Sequence, residues 1–205
     1  MSSKFNKIGL FGGTFDPIHN GHLHIARSFA DELNLDMVVF LPAGQPYHKN
    51  STQTAAEHRL AMTELAIADD ARFAVSDCDM VRSGATYTFD TVQIFRQQFA
   101  QSQLYCLIGM DSLLNLHTWK NWQTLVKQVR FAVAARAGDS LAKAPAALHA
   151  WLGQALPAGD VQMLNASVYD ISSSEIREQA KQGKAIDAFV PSAVADYVRQ
   201  HKLYR

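Results

Sequence analysis

Short apolar runs bounded by turn residues, with segments of helical period between them, constrain the fold of this chain more than any other feature. Ile8 to Phe11 closes in Gly12-Gly13, as a buried strand ending in a tight turn does. Met37 to Leu41 (MVVFL) is stopped by Pro42, Phe73 to Val75 is a shorter extended stretch, and Leu104 to Ile108 (LYCLI) and Phe131 to Ala135 (FAVAA) repeat the pattern. Strands apolar on both faces belong to parallel sheets covered by helices. Helical spacing falls between them at Asn20 to Leu33, where Leu23, Ala26, Ala30 and Leu33 make one buried face, then at Glu57 to Ala68 and Phe89 to Phe99. This rhythm predicts an α/β fold, an open, mostly parallel sheet flanked by helices on both faces, with right-handed crossovers. Residues 139–165 are Ala-rich and interrupted by Pro145 and Pro157; they predict one helix, about Ala146 to Ala155, and a connection. Ser173 to Gln182 and Ser192 to His201 form a small C-terminal helical part. The expected organisation is one domain over 1–205, with a sheet core to about 165 and residues 166–205 completing the ligand site.

The 19 Lys plus Arg balance the 19 Asp plus Glu, which argues against a protein that coats nucleic acid polymers. No segment approaches the roughly 18 to 20 apolar residues of a membrane span, and the first residues lack the apolar core of a secretory signal. Cys78 and Cys106 stand apart without CxxC or metal-ligand spacing, as expected of inert thiols in a reducing compartment. The cytoplasm is the expected location, and self-association stays open.

In open α/β sheets, ligands sit beyond the carboxyl ends of the strands. The first such end carries Gly12-Gly13-Thr14-Phe15-Asp16-Pro17-Ile18-His19-Asn20-Gly21-His22. Two glycines let backbone pass close to a ligand, and the helix starting near Asn20 aims its positive end at the same space. His19 and His22, three apart across the helix start, both reach it, and each offers two N–H donors when protonated. His24, two residues on, points elsewhere and is expected to be solvated. This stretch lacks the GKS/T and GxGxxG phosphate loops. It resembles the GGTFDPxHxGH signature of the HxGH nucleotidyltransferase superfamily, a Rossmann-like fold.

Late in the chain, Ile171-Ser172-Ser173-Ser174-Glu175-Ile176-Arg177 can cap a helix, but capping leaves Arg177, a permanent planar cation, unexplained. The segment is similar to the second superfamily signature, ISxTxIR, with Ser174 in place of threonine. Three further segments, Pro46-Tyr47-His48-Lys49, Tyr87-Thr88-Phe89-Asp90-Thr91 and Gly109-Met110-Asp111-Ser112-Leu113 with Thr118-Trp119, make the whole resemble the bacterial nicotinate-nucleotide adenylyltransferase family.

That resemblance implies transfer of the adenylyl group of ATP to nicotinate mononucleotide, giving deamido-NAD and pyrophosphate. It assigns His19, His22 and Arg177 to catalysis on the ATP phosphates. Gly12, Gly13, Thr14, Phe15, Ser172 and Ser174 line the ATP site. Lys49 is assigned to the substrate phosphate, Thr88 and Trp119 to the nicotinate, and Asp111 to a polar contact near the nucleotides. Mg²⁺ is expected as the ATP complex rather than in a protein cage. The alternatives are another HxGH enzyme, such as phosphopantetheine adenylyltransferase, and a nucleotide sensor without turnover.

Overall fold

A computed structural model describes residues 5–44, 54–82, 84–167, 169 and 171–205. The strands are β1 (Lys7–Gly13), β2 (Met37–Pro42), β3 (Phe73–Val75), β4 (Gln103–Gly109), β5 (Arg130–Ala134) and β6 (Val161–Met163). They form one six-stranded sheet in the order β3-β2-β1-β4-β5-β6. The pairs β1–β4, β4–β5 and β5–β6 run parallel, with Leu10 opposite Cys106, Cys106 opposite Phe131 and Phe131 opposite Val161. The helices are α1 (Asn20–Leu33), α2 (Ala56–Ile67), α3 (Thr88–Gln98), α4 (Met110–Leu114), α5 (Trp122–Leu125), α6 (Ala146–Ala158), α7 (Ser173–Lys181) and α8 (Ser192–Gln200). The α/β expectation is borne out, and five of the six strands lie where apolar runs predicted them.

Local chemistry sets the boundaries. Helix α1 ends where Asn34 takes a left-handed conformation (φ 52°) and the Leu35 N–H returns to the Ala30 carbonyl at 2.9 Å, a Schellman-type closure. Just beyond it, Asp36 accepts the backbone N–H groups of Asn6 and Lys7 through Oδ2, at 2.7 and 2.9 Å, and so fixes the entry of β1. Helix α6 runs past Pro157 and stops at Gly159 (φ 75°), after which the chain enters β6.

Two compact units make up the chain. The first comprises Met1–Phe11, Arg27–Val38 and Tyr87–Val168, and its core includes Ile8, Leu104, Leu107, Phe131, Val133 and Leu148, all nearly inaccessible. Cys106 is buried in this core, and burial pushes its thiol up to about 12, which keeps it protonated and unreactive. The second comprises Gly12–Ala26, Val39–Thr86 and Tyr169–Arg205, packed around Phe15, Ile18, Phe40, Met62, Ile176 and Val194. Within it α8 is tied to α2 by the 2.9 Å bond between Tyr197 Oη and His58 Nδ1.

Candidate active site

Gly12, Gly13, Thr14, Phe15, His19, His22, Ser172, Ser174 and Arg177 all belong to the second unit. Gly12, the last residue but one of β1, is exposed; a side chain there would meet nothing within 4 Å, so the backbone is open to a ligand. Gly13 is a glycine for the opposite reason. A Cβ there would lie 2.6 Å from the ring of Phe15, which folds back over it. Phe15 is itself left-handed (φ 50°) and buried, a sparsely populated state for an aromatic residue that tight surroundings must hold. Its ring meets His22 edge-on at 5.1 Å and packs against Phe40 at 5.8 Å. Phe15 is therefore a wedge beneath the His22 ring.

His19 is buried and His22 half-buried, and their rings stack at 3.6 Å with 24° between planes. Their bonds are reciprocal: the His19 N–H donates to His22 Nδ1 at 3.2 Å, and the His22 N–H to His19 Nδ1 at 3.4 Å. With both Nδ1 atoms accepting, each neutral ring carries its proton on Nε2. Helix α1 has no acidic residue in its first turn, so its positive end is not neutralised there. The Asn20 N–H is committed to the Phe189 carbonyl at 2.8 Å.

The carbonyls of the turn are held by side chains from distant sequence. Arg177 Nη1 donates to the Asp16 carbonyl at 2.8 Å, and Ser173 Oγ donates to the Pro17 carbonyl at 3.0 Å. The two signatures, some 160 residues apart, therefore meet on one turn. The three serines divide their duties. Ser172 caps α7, accepting from the Glu175 N–H at 3.2 Å and donating to the Glu175 carboxylate at 2.8 Å. Ser173 clamps the turn, and Ser174 Oγ accepts from Arg177 Nη2 at 3.2 Å. A guanidinium has five N–H donors, so two bonds to the protein leave others for phosphate oxygens.

Arg59 was not singled out from sequence and proves central. It is 1% exposed on α2, and it donates to the carbonyls of Thr14 (2.8 Å), Gly44 (2.9 Å) and Thr54 (3.3 Å). Burial lowers its pKa, and the negative charge of Asp16 opposes that shift. The signal was an arginine three residues before Met62 and four before Thr63, on the apolar face of α2. His24 corrects an expectation. It stacks on Tyr169 at 4.1 Å, nearly parallel, because two steps along a helix turn it about 200° from His22, toward another face.

The remaining sequence candidates lie elsewhere. Lys49 and its loop fall outside the described residues. Thr88, Asp111 and Trp119 belong to the first unit. Thr88 opens α3, beside Tyr87, whose ring has Lys120 Nζ above it at 4.9 Å; Lys120 also pairs with Asp90 at 2.8 Å. Asp111 is exposed in the first turn of α4. Trp119 is half-buried and makes no ring contact among the described residues, whereas Trp122 and Trp151 pack together at 6.4 Å. Among the described residues no three His, Cys, Asp or Glu side chains gather as a metal site, and no helix is long and apolar enough to cross a membrane.

An α/β sheet, a glycine turn at the end of β1 and a stacked HxGH pair define a nucleotidyltransferase, and the cytidylyltransferase-like family model matches residues 10–179. A protein of Neisseria meningitidis serogroup C named "Probable nicotinate-nucleotide adenylyltransferase" is 64% identical over 97% of this chain and 98% of its own. One of the same name from Chromobacterium violaceum is 39% identical over 97% and 99%. The chain belongs to the nicotinate-nucleotide adenylyltransferase family. The fold is also that of the Plasmodium falciparum nicotinic acid mononucleotide adenylyltransferase solved in complex with NaAD (TM-score 0.74, 17% identity, 97% of each chain).

Proposed function

We infer that this chain transfers the adenylyl group of ATP to nicotinate mononucleotide, producing deamido-NAD and pyrophosphate for NAD biosynthesis. The observation that supports it most is the 2.8 Å bond between Arg177 and the Asp16 carbonyl, which joins the late cation to the early turn. The mononucleotide phosphate is already a nucleophile, so the protein supplies alignment and charge stabilisation rather than a covalent intermediate. The Nε2–H groups of His19 and His22 bind the phosphates of ATP, one of them following the charge that grows on the α-phosphate. Arg177, steered by Ser174, holds the β and γ groups. Gly12, Gly13 and Thr14 present backbone to the nucleotide, with Phe15 supporting them, while Ser172 orders the start of α7. On this reading residues 166–205 complete the ATP site of a single nucleotidyltransferase domain.

Trp119 stacks on the nicotinate, with Thr88 and Asp111 supplying polar contacts and Lys49 a cation for the acceptor phosphate. ATP would arrive as its Mg²⁺ complex, and the ion would supply charge neutralisation on the triphosphate, with no cage from the protein. The protein works in the cytoplasm on small nucleotides, not on nucleic acid polymers or membranes. The test is to offer ATP with nicotinate mononucleotide, nicotinamide mononucleotide or phosphopantetheine, and to weigh the products while counting pyrophosphate. Deamido-NAD and pyrophosphate in equal amounts are expected. Product from phosphopantetheine alone would move the chain to a sibling activity, and ATP binding without pyrophosphate release would make it a sensor.

Trp119→Ala is expected to raise KM for the mononucleotide roughly 5- to 150-fold, since stacking of a base on an aromatic ring contributes about 1 to 3 kcal/mol. KM for ATP should change little. Steady-state kinetics with each substrate varied in turn checks this, and equal losses for both would remove the indole from nicotinate recognition.

A further inference from the structure

Asp16 is a buried carboxylate in a region of cations, yet neither neighbouring arginine is hydrogen-bonded to it. It is 2% exposed, and its charge acts on Arg59. Arg59 nevertheless directs three of its donors to backbone carbonyls, and Arg177 directs two of its five to the Asp16 carbonyl and Ser174. The carboxylate is instead held by the hydroxyl of Tyr204, which donates to Oδ1 at 2.7 Å, while Oδ2 has no hydrogen-bond partner among the described residues. A buried carboxylate oxygen without a donor, beside two guanidiniums, would gain by swinging onto either one.

The segment carrying Tyr204 is shaped for this contact. Lys202 and Tyr204 both adopt left-handed conformations (φ 53° and 65°), which residues with side chains take up only when their surroundings hold them there. The base of the segment is anchored to α8 by the Lys202 N–H to the Arg199 carbonyl at 3.2 Å and the Leu203 N–H to the Val198 carbonyl at 3.1 Å.

We propose that Tyr204 is a positioning residue for ATP: its hydroxyl holds the Asp16 carboxylate away from Arg177, so that the guanidinium stays available for the triphosphate. The contact thus prevents an internal ion pair that would compete with the substrate. This rests on the assignment of Arg177 to the ATP phosphates, and the experiment separates the two.

Tyr204→Phe keeps the ring and removes only the hydroxyl. Its KM for ATP is expected to rise about tenfold, the size of one charge-assisted hydrogen bond withdrawn from the phosphates. KM for nicotinate mononucleotide and the thermal midpoint should stay close to those of the parent. Adding Asp16→Asn to Tyr204→Phe removes the competing charge and is expected to restore the KM for ATP. An unchanged KM for ATP in Tyr204→Phe, or equal rises for both substrates together with a lowered midpoint, overturns the proposal. So does a folded double variant that shows no recovery. If the double variant fails to fold, the substrate split in Tyr204→Phe alone decides. Arg177→Lys serves as the separate control: if it leaves KM for ATP unchanged, the assignment of Arg177 is what fails.

Discussion

His22→Ala is expected to lose about 10²- to 10³-fold in kcat while keeping its fold, the loss found when one donor to a developing oxyanion is removed, about 2.7 to 4 kcal/mol. The geometry makes the experiment sharper than alanine alone allows. His22 uses its two ring nitrogens for different tasks: Nδ1 accepts the His19 N–H at 3.2 Å, which leaves Nε2 as the donor. Asparagine places an oxygen near Nδ1 and so replaces the structural acceptor alone. Glutamine places an amide N–H near Nε2 and replaces the donor alone. His22→Gln is therefore expected to retain more kcat than His22→Asn, whereas His22→Asn should be the more stable of the two. Single-turnover rates with ATP and mononucleotide saturating, together with thermal melts, separate the roles. Near-full turnover in the alanine variant would take the histidine out of the chemistry. His19 is a poorer target, since its buried ring also packs 3.1 Å from where a Cβ at position 21 would sit and props the start of α1.

What the sequence could and could not reveal follows from the range of each interaction. Helix α1 was read with its observed bounds, Asn20–Leu33, because the amphipathic face of Leu23, Ala26, Ala30 and Leu33 is a local feature. Strand β6 was missed because three residues, Val161–Met163, carry no periodicity, and because Pro157 suggested an end to α6 that lies at Gly159. Helices α4 and α5 span one turn each, too short for any period to register. In the site, residue types were legible and duties were not. Three consecutive serines look alike in sequence, yet one caps α7, one clamps Pro17 and one orients Arg177, according to where each Oγ points around the helix start. Arg59 stayed hidden because its three acceptors lie on other segments, up to 45 residues away, and only folding brings those carbonyls together.

Arg59→Met is expected to cost about 3 kcal/mol of stability, although the substitution keeps most of the side-chain volume. Arg59 is a buried clamp that ties the turn after β1, at Thr14, to Gly44 beyond β2 and to Thr54 before α2. Removing it leaves acceptors in a dry site, each costing about 1 to 3 kcal/mol when unsatisfied. It also strips the buried Asp16 carboxylate of a neighbouring positive charge. Against this stands the relief of no longer burying a guanidinium, the same desolvation that lowers the Arg59 pKa. Relief therefore offsets part of the loss of three acceptor bonds, each about 1 to 3 kcal/mol, and brings the net to about 3 kcal/mol. For a chain of this length that corresponds to a Tm lower by roughly 6 to 12 °C. Arg59→Lys should recover only part of it, because one ammonium on a flexible stem cannot reach three carbonyls in a fixed fork. Thermal and urea denaturation measure both variants, and a loss below about 1 kcal/mol in Arg59→Met, no more than a single typical hydrogen bond, would mean the turn holds its shape without the clamp.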